Sequence, residues 1–309
     1  MHRCLEHVAA QTYSPIEVVV VDNGSSDGSL DKIKTQYPNY IYIENDRNLG
    51  YASGMNQGIR ASRGEFVLPL NQDVCLERNY VAYSVSRMKS DARIGAMGGR
   101  VLSWIGDQLT DELRKGEGER AFLLKRFKVS AGNRSESETW TFCPSGSFPF
   151  LRSEMLKDLL NATGSYYDEA FETGWEDTDM FLRMHLRGWK ALFTPHTFGW
   201  HVGSGSVGGN ATFLTKKLDY QLRVIRNRYF TIMKNLPLPV LLWLAPYLVA
   251  SEIGLVPYFI LRSPKSLIAL AKAQWQVVMN LSSILKKRRS IQRGRTVSTV
   301  YVKQLFGGA

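Results

Sequence analysis

Cysteine is scarce in this chain, with three residues in 309, at positions 4, 75 and 143. An odd and scattered set builds neither a disulfide framework nor a zinc site, so a reducing compartment is expected. The N-terminal residues hold no basic segment followed by an apolar run, and no secretory signal is expected there. Acidic residues are missing from one region only. From residue 210 onward there are 16 Lys and Arg against 2 acidic residues, whereas the first 209 residues carry 23 against 26. The net charge of +11 is therefore a property of the last third. Aromatic-interleaved basic grooves and DNA-binding motifs are also absent, which argues against a nucleic-acid partner. The length allows one or two domains with a large core.

What is present alternates between strand and helix. Residues 16–21 are a β-branched run ending in Asp22-Asn23-Gly24-Ser25-Ser26-Asp27-Gly28, a strand followed by a turn and a helix start. Residues 40–44 read as a second strand, 50–62 as a helix, and 65–70 as a third strand running into Asn71-Gln72-Asp73. This alternation predicts an α/β fold. Its sheet is expected to be open and mostly parallel, with helices on both faces and ligands at the carboxyl ends of the strands. Asp22 and Asp73 sit at two such ends. Residues 103–138 form a polar stretch of weak periodicity, expected to be a functional loop or disordered. Strand-like segments return near 139–151 and 189–200, and only helical pattern follows residue 211. The expected division is residues 1–209 and a basic, helical region over residues 210–309.

Between the last two strand segments, Glu176-Asp177-Thr178-Asp179 places three carboxylates in the first turn of a helix. Steps of four and seven from Asp177 reach Phe181 and Met184, so this carboxylate shares a side with apolar residues. Desolvation there would raise its proton affinity and suit it to general-base work. Asp179 meets Arg183 one turn on and reads as a helix ion pair. Glu176 reads as a dipole partner or a second catalytic carboxylate.

Six segments in order resemble family 2 glycosyltransferases of the GT-A fold, covering about residues 4–235. They are Val19-Val20-Val21-Asp22-Asn23-Gly24-Ser25-Ser26-Asp27-Gly28-Ser29, Asn48-Leu49-Gly50-Tyr51-Ala52-Ser53-Gly54-Met55-Asn56-Gln57-Gly58 and Leu70-Asn71-Gln72-Asp73-Val74. Tyr167-Asp168-Glu169-Ala170-Phe171, Glu176-Asp177-Thr178-Asp179 with Arg183, and His201-Val202-Gly203-Ser204-Gly205-Ser206 complete the set. The likeness is greatest to a bacterial rhamnosyltransferase-like branch acting on cell-surface polysaccharides.

The resemblance implies a nucleotide-diphospho-sugar donor, linked to dTDP or UDP, and a lipid-linked or polysaccharide acceptor. Asp22, Asn23, Arg47, Asn48, Gly50, Asn56, Asn71 and Asp73 are the expected donor-binding residues. Asp73 and His201 are the expected ligands of Mg²⁺ or Mn²⁺, and Asp177 the base, with Glu176 beside it. The chemistry agrees, because a departing pyrophosphate needs a cation to hold its charge, after which one base suffices for inversion. Asn71 replaces the first carboxylate of the usual Asp-x-Asp, which implies weaker or more selective metal binding. Asp22 also reads as an Asx turn, and Gly50, Gly54 and Gly58 as close helix–sheet packing. Gly203-Ser204-Gly205-Ser206-Val207-Gly208 satisfies G-x-G-x-x-G, but no further strand follows it. It reads better as a lid over the donor.

Members of this family begin with a further strand before the Cys4-Leu5 helix. The expectation is that this first strand is absent, leaving unpaired sheet edges. Residues 236–261 are apolar over the length of a membrane span but interrupted by Pro237, Pro239, Pro246, Glu252 and Pro257. Two short interfacial helices are expected, with Lys286-Lys287-Arg288-Arg289, Arg293 and Arg295 on anionic lipid. The implied location is peripheral, on the cytoplasmic face of a bacterial plasma membrane. An inactive sugar-nucleotide-binding remnant and a membrane scaffold are the alternatives.

Overall fold

The computed structural model describes residues 1–114, 120–122, 125–127, 135–202 and 213–307. After a first helix, His2–Ala9 (α1), the β-branched run forms strand Val19–Asp22 (β1). Helix Ser29–Gln36 (α2) carries the chain to Ile41–Glu44 (β2), which pairs with β1 in parallel, Val21 opposite Ile43. Helix Tyr51–Ala61 (α3) then packs on β1 through its glycine face. A side chain at Gly58 would meet Val21 at 3.4 Å, so the glycine spacing lets helix and strand approach closely.

The larger sheet is built on two 12-residue strands. Phe66–Val67 (β3) and Val74–Leu76 (β4) precede helix Tyr80–Lys89 (α4) and the first long strand, Ile94–Ile105 (β5). Gln108–Leu113 (β6) folds back on β5, and Arg120–Phe122 (β7) pairs with Lys125–Phe127 (β8). Thr139–Thr141 (β9), Phe150–Arg152 (β10) and the second long strand, Lys190–His201 (β11), complete it, in the order β3-β10-β5-β11-β4. The α/β fold is as expected, but the sheet is mixed. Only β1–β2 and β5–β11 are parallel pairs among the described residues, and β10, β4, β9 and β6 all join antiparallel. The β-branched run at 16–21 and the strand–helix alternation suggest parallel strands, whereas β3, β4, β9 and β10 are too short to show a direction. The long loop expected at 103–138 is likewise partly strand, since β6 lies within it.

β1 pairs with β2 and β3 with β10, and β1 and β3 do not pair with each other. A cleft separates these two edges, lined by Val19, Val20 and Val21 on one side and Phe66, Val67 and Leu68 on the other. At the carboxyl ends of both segments its lining continues into Asp22, Asn23, Asn71 and Asp73. The glycine-rich segment expected to form a lid, 203–208, lies outside the described residues.

Helices Ser153–Thr163 (α5) and Glu176–Leu186 (α6) cover the sheet. α6 is buried along its whole length, and its apolar residues Met180, Phe181, Leu182 and Met184 sit in the main core. The C-terminal helices are Leu218–Asn235 (α7), Leu238–Arg262 (α8), Ser266–Met279 (α9), Leu281–Arg293 (α10) and Thr299–Gln304 (α11). The two short helices expected over 236–261 are one continuous helix, α8. Pro237 and Pro239 fall at its start, where no intrahelical donor is needed. Pro246 and Pro257 each remove one interior bond, and the freed acceptors belong to Leu242 and Ile253, both on the exposed side. The basic run on α10 also departs from expectation. Lys287 bonds Asp168, and Arg288 donates to the carbonyls of Met233 and Leu236. Half of that run therefore faces the protein.

Candidate active site

The antiparallel pairing of β4 with β11 places Val74 opposite His201 and so brings Asp73, one residue earlier, beside the imidazole. His201 Nε2 lies 3.4 Å from Asp73 Oδ1. His201 is buried, and its Nδ1 has no hydrogen-bond partner among the described residues. A carboxylate oxygen and an imidazole nitrogen at this separation fit a small divalent cation, with imidazole favouring Mn²⁺ over Mg²⁺. No cluster of three or more His, Cys, Asp or Glu exists among the described residues. A cation here would draw its other ligands from phosphate oxygens and water, as hard cations at nucleotide sites do.

Asp73 and His201 line the open end of the cleft, together with Asn71, Asp22, Asn23, Arg47, Asn48 and Gly50. Asp22 closes the turn after β1, its Oδ2 accepting from the backbone of Gly24 and Ser25 at 3.2 and 3.0 Å. Asn23 is engaged at both ends of its amide. It donates to Asn48 Oδ1 and the Gly50 carbonyl and accepts from Asn45 and Leu49. It thus fixes the 45–50 loop to β1 rather than presenting its amide to a ligand. Asn56 is a correction. It is fully buried, not on the cleft, and clasps the backbone of Tyr167 in both directions while donating to Glu169. Its place on the inner side of α3 follows from the glycines, which turn the opposite face of that helix to β1.

The acidic helix approaches the same place from the other side. Its entry is held in unusual backbone, with Glu172 at φ 59°, Gly174 at φ 84° and Trp175 at φ 71°. Positive φ at two non-glycine residues is costly and requires support. That support comes from α7. Asn227 lies within hydrogen-bonding distance of the carbonyls of Phe171, Thr173 and Gly174, and Arg223 and Arg226 pair with the Glu172 carboxylate. Glu176 lines the cleft. Asp177 stands one layer behind, buried, with its Oδ1 accepting from the Thr178 backbone. A side chain at Gly146 would collide with the Asp177 carboxylate, so only glycine leaves room for it.

Tyr51 joins the two halves. Its hydroxyl donates to Asn71 Oδ1 at 3.0 Å and approaches the Gly146 carbonyl. Burial, followed by the fields of Tyr167, Glu176, Asp177 and Asp73, pushes its phenol well above the ordinary tyrosine range. The phenol therefore stays a proton donor. The sequence motif contained Tyr51 without assigning it a role.

Asp179, read from sequence as a simple helix ion pair, is the centre of a buried network. Its Oδ2 accepts from Arg183 Nε at 2.9 Å, and its Oδ1 meets Lys234 Nζ at 2.9 Å and Asn235 Nδ2 at 2.7 Å. Lys234 also binds Asp168, whose second oxygen takes Lys287. Burial alone would raise Asp168, but Lys234 and Lys287 outweigh it and hold the carboxyl below the usual range. Helices α7 and α10 are thus tied to the helix that carries Glu176 and Asp177. Sequence spacing gave no signal for these long-range pairs.

Known proteins resemble this chain in sequence and fold. Poly-beta-1,6-N-acetyl-D-glucosamine synthase of Staphylococcus aureus is 25% identical over 243 residues, covering 76% of this chain and 54% of the relative. The chain thus spans about half the length of that relative. The structure of S. aureus TarS residues 1–349 aligns with a TM-score of 0.56 at 17% identity, over 95% of this chain and 84% of the other. A mannosyltransferase from Pyrobaculum calidifontis, solved with GDP-Man and Mn²⁺, aligns with a TM-score of 0.52 at 18% identity, over 99% and 81%. These likenesses show a shared GT-A glycosyltransferase fold. The profile of glycosyl transferase family 2 matches residues 1–160, more than half of the 309, and the chain belongs to that family.

Proposed function

We propose that this chain is an inverting, divalent-cation-dependent glycosyltransferase. It moves a sugar from a UDP- or dTDP-linked donor to a lipid-linked or cell-surface polysaccharide acceptor, on the cytoplasmic face of a bacterial plasma membrane. The observation that carries this reading is the pairing of Asp73 with His201 at the mouth of a cleft that also holds Asp22, Arg47 and Glu176. The cleft is about 1860 Å³, larger than the ~300–1,000 Å³ of ordinary small-molecule sites. The donor occupies its open end, and the remainder runs between β1 and β3. Rhamnose from dTDP follows from the sequence resemblance, and the name of the staphylococcal relative supports an N-acetyl-D-glucosamine donor as the rival.

Each group has a part in the reaction. Asp73 and His201 would hold Mg²⁺ or Mn²⁺, which when bound neutralises the charge of the departing pyrophosphate. The turn at Asp22 and the 45–50 loop hold the nucleoside and diphosphate. The acceptor hydroxyl oxygen bonds to the anomeric carbon while the bond from that carbon to the diphosphate breaks, its electron pair leaving with the nucleoside diphosphate. The hydroxyl proton passes to Asp177. Arg223 and Arg226 keep the entry to α6 in place through Glu172.

A second reading, a sugar-nucleotide-binding chain without turnover, is favoured by the edges of β1 and β3 that face each other across the cleft without a strand between them among the described residues. Product formation by the purified chain excludes it. The donor site is tested by thermal melting of the protein with UDP or dTDP, each with Mn²⁺ or with chelator. One of the two nucleotides is expected to raise the midpoint by several degrees with Mn²⁺ only, about 1–3 kcal/mol of linkage. Asp73→Ala is expected to abolish that shift. Equal shifts with chelator, or an undiminished shift in Asp73→Ala, would remove Asp73 as a cation ligand.

A further inference from the structure

We infer that the outer face of α8 and α9 is a docking surface for an anionic lipid bilayer, on which α8 lies flat rather than crossing. The inference deepens the proposed location. Its first half, bilayer docking, stands without the enzymatic reading, whereas its consequence for the acceptor rests on that reading.

α8 is long and apolar enough to span a membrane, with only 22% of its most apolar window buried. Its packing nevertheless fits a different orientation. The buried residues Val240, Leu244, Ser251, Leu255 and Phe259 form one stripe from the first turn to the last. Glu252 ties the middle of the helix to α7 through Arg228 and Tyr229. A helix docked on the protein along its whole length cannot cross a bilayer without taking α7 with it. α7 carries Arg226, Arg228 and Lys234 in buried positions, and moving these charges into hydrocarbon is prohibitive.

The opposite side of α8 has no charge between Leu238 and Leu261. Leu242, Ile253 and Leu261 are 66%, 68% and 81% exposed, and α9 adds exposed Trp275 and Met279. A continuous apolar face on this scale marks an interaction site. Charge selects the partner. Arg262, Lys265, Lys272, Lys286, Arg289 and Arg293 are exposed on α8 to α10, and the described residues from 213 onward contain two acids, Asp219 and Glu252, the latter paired inward. An apolar face on a region rich in exposed cations matches an anionic interface, where each Lys or Arg near the surface adds about 1 kcal/mol.

The position of this face has a consequence for the acceptor. The C-terminal half of α8 packs with α9 against the start of α7, through Ile225, Leu255, Phe259 and Leu270. The same stretch of α7 presents Tyr220 and Arg223 to the cleft. Helix α7 thus links the docking helices to the cleft wall, and an acceptor anchored in that bilayer would approach the cleft from the α7 side.

The test is co-sedimentation of the full chain with phosphatidylcholine vesicles, with and without about one-third phosphatidylglycerol, at low and high salt. The expected result is binding to the anionic vesicles that weakens with salt. Leu242→Asp with Ile253→Asp is expected to weaken it roughly 100-fold, with the melting midpoint unchanged. A second variant, Lys286→Gln with Arg289→Gln, retains the apolar face and loses the salt-dependent part. Undiminished binding by the double aspartate variant overturns the proposal. So does a wild-type dimer that the same substitutions dissociate without any vesicle binding, because the face would then meet a second copy. Nucleoside-diphosphate stabilisation, read on the same variants without vesicles, is expected to be unchanged, so failure of the donor site and failure of the docking surface are separate results.

Discussion

Asp177→Asn is expected to lower the transfer rate by about 10²–10⁴-fold while leaving donor affinity unchanged within about threefold. The asymmetry follows from where the residue sits. Asp177 is buried behind the cleft wall, and the donor-side residues Asp22, Arg47 and Asp73 do not depend on it. Asparagine retains the oxygen that accepts from the Thr178 backbone and fits the space left by Gly146, so α6 keeps its start. What is lost is the capacity to take a proton. Glu176 provides the comparison, since it lines the cleft directly. Glu176→Gln is expected to alter the substrate KM more than kcat. Steady-state kinetics on the two variants check this. Retained kcat in Asp177→Asn together with its collapse in Glu176→Gln would assign the base to the carboxylate that faces the cleft.

Lys234→Met is expected to cost about 3–5 kcal/mol of stability, a large part of the ~5–15 kcal/mol of a whole domain. Lys234 is 2% exposed and bridges Asp168 and Asp179, both buried. Methionine fills the stem but leaves two carboxylates, with Arg183 and Lys287 as the remaining cations. Breaking a buried pair from one side is costly because the stranded charge keeps its desolvation penalty. Asp168→Asn added to Lys234→Met removes one stranded charge and is expected to recover part of the loss. Denaturant unfolding of the two single variants and the double variant measures the coupling. Strict additivity would show that the bridge is not an energetic unit. The same network fixes α6 against α7, so Lys234→Met is also expected to lower kcat.

Much of this architecture is written locally in the chain, and the exceptions share a cause. β1, β2, α3 and α6 follow from β-branched runs, glycine spacing and an acidic helix start, each set by neighbours within a few residues. The placing of Asp73 and His201 together rests on the ordered motifs, and the β4–β11 pairing is what realises it. Strand direction is not legible locally, because β3, β4, β9 and β10 are two or three residues long and carry too little pattern. The inward position of Asn56 is equally hidden, because a helix amide looks the same in sequence whether it faces a ligand or the backbone of Tyr167. α8 runs through two prolines because the lost bonds fall on its exposed side. The network of Asp168, Asp179, Lys234 and Lys287 joins residues 55 to 119 positions apart. Nothing local distinguishes Lys287 from the neighbouring lysine that faces solvent.

The central claim is that Asp73 and His201 hold a divalent cation at the mouth of the donor cleft. Crystals grown with Mn²⁺ and the stabilising nucleoside diphosphate test it most directly, through the anomalous signal of manganese. One strong peak is expected, coordinated by Asp73 and His201 and by the diphosphate oxygens. A diphosphate bound in the cleft with manganese elsewhere, or with no manganese at all, would contradict it.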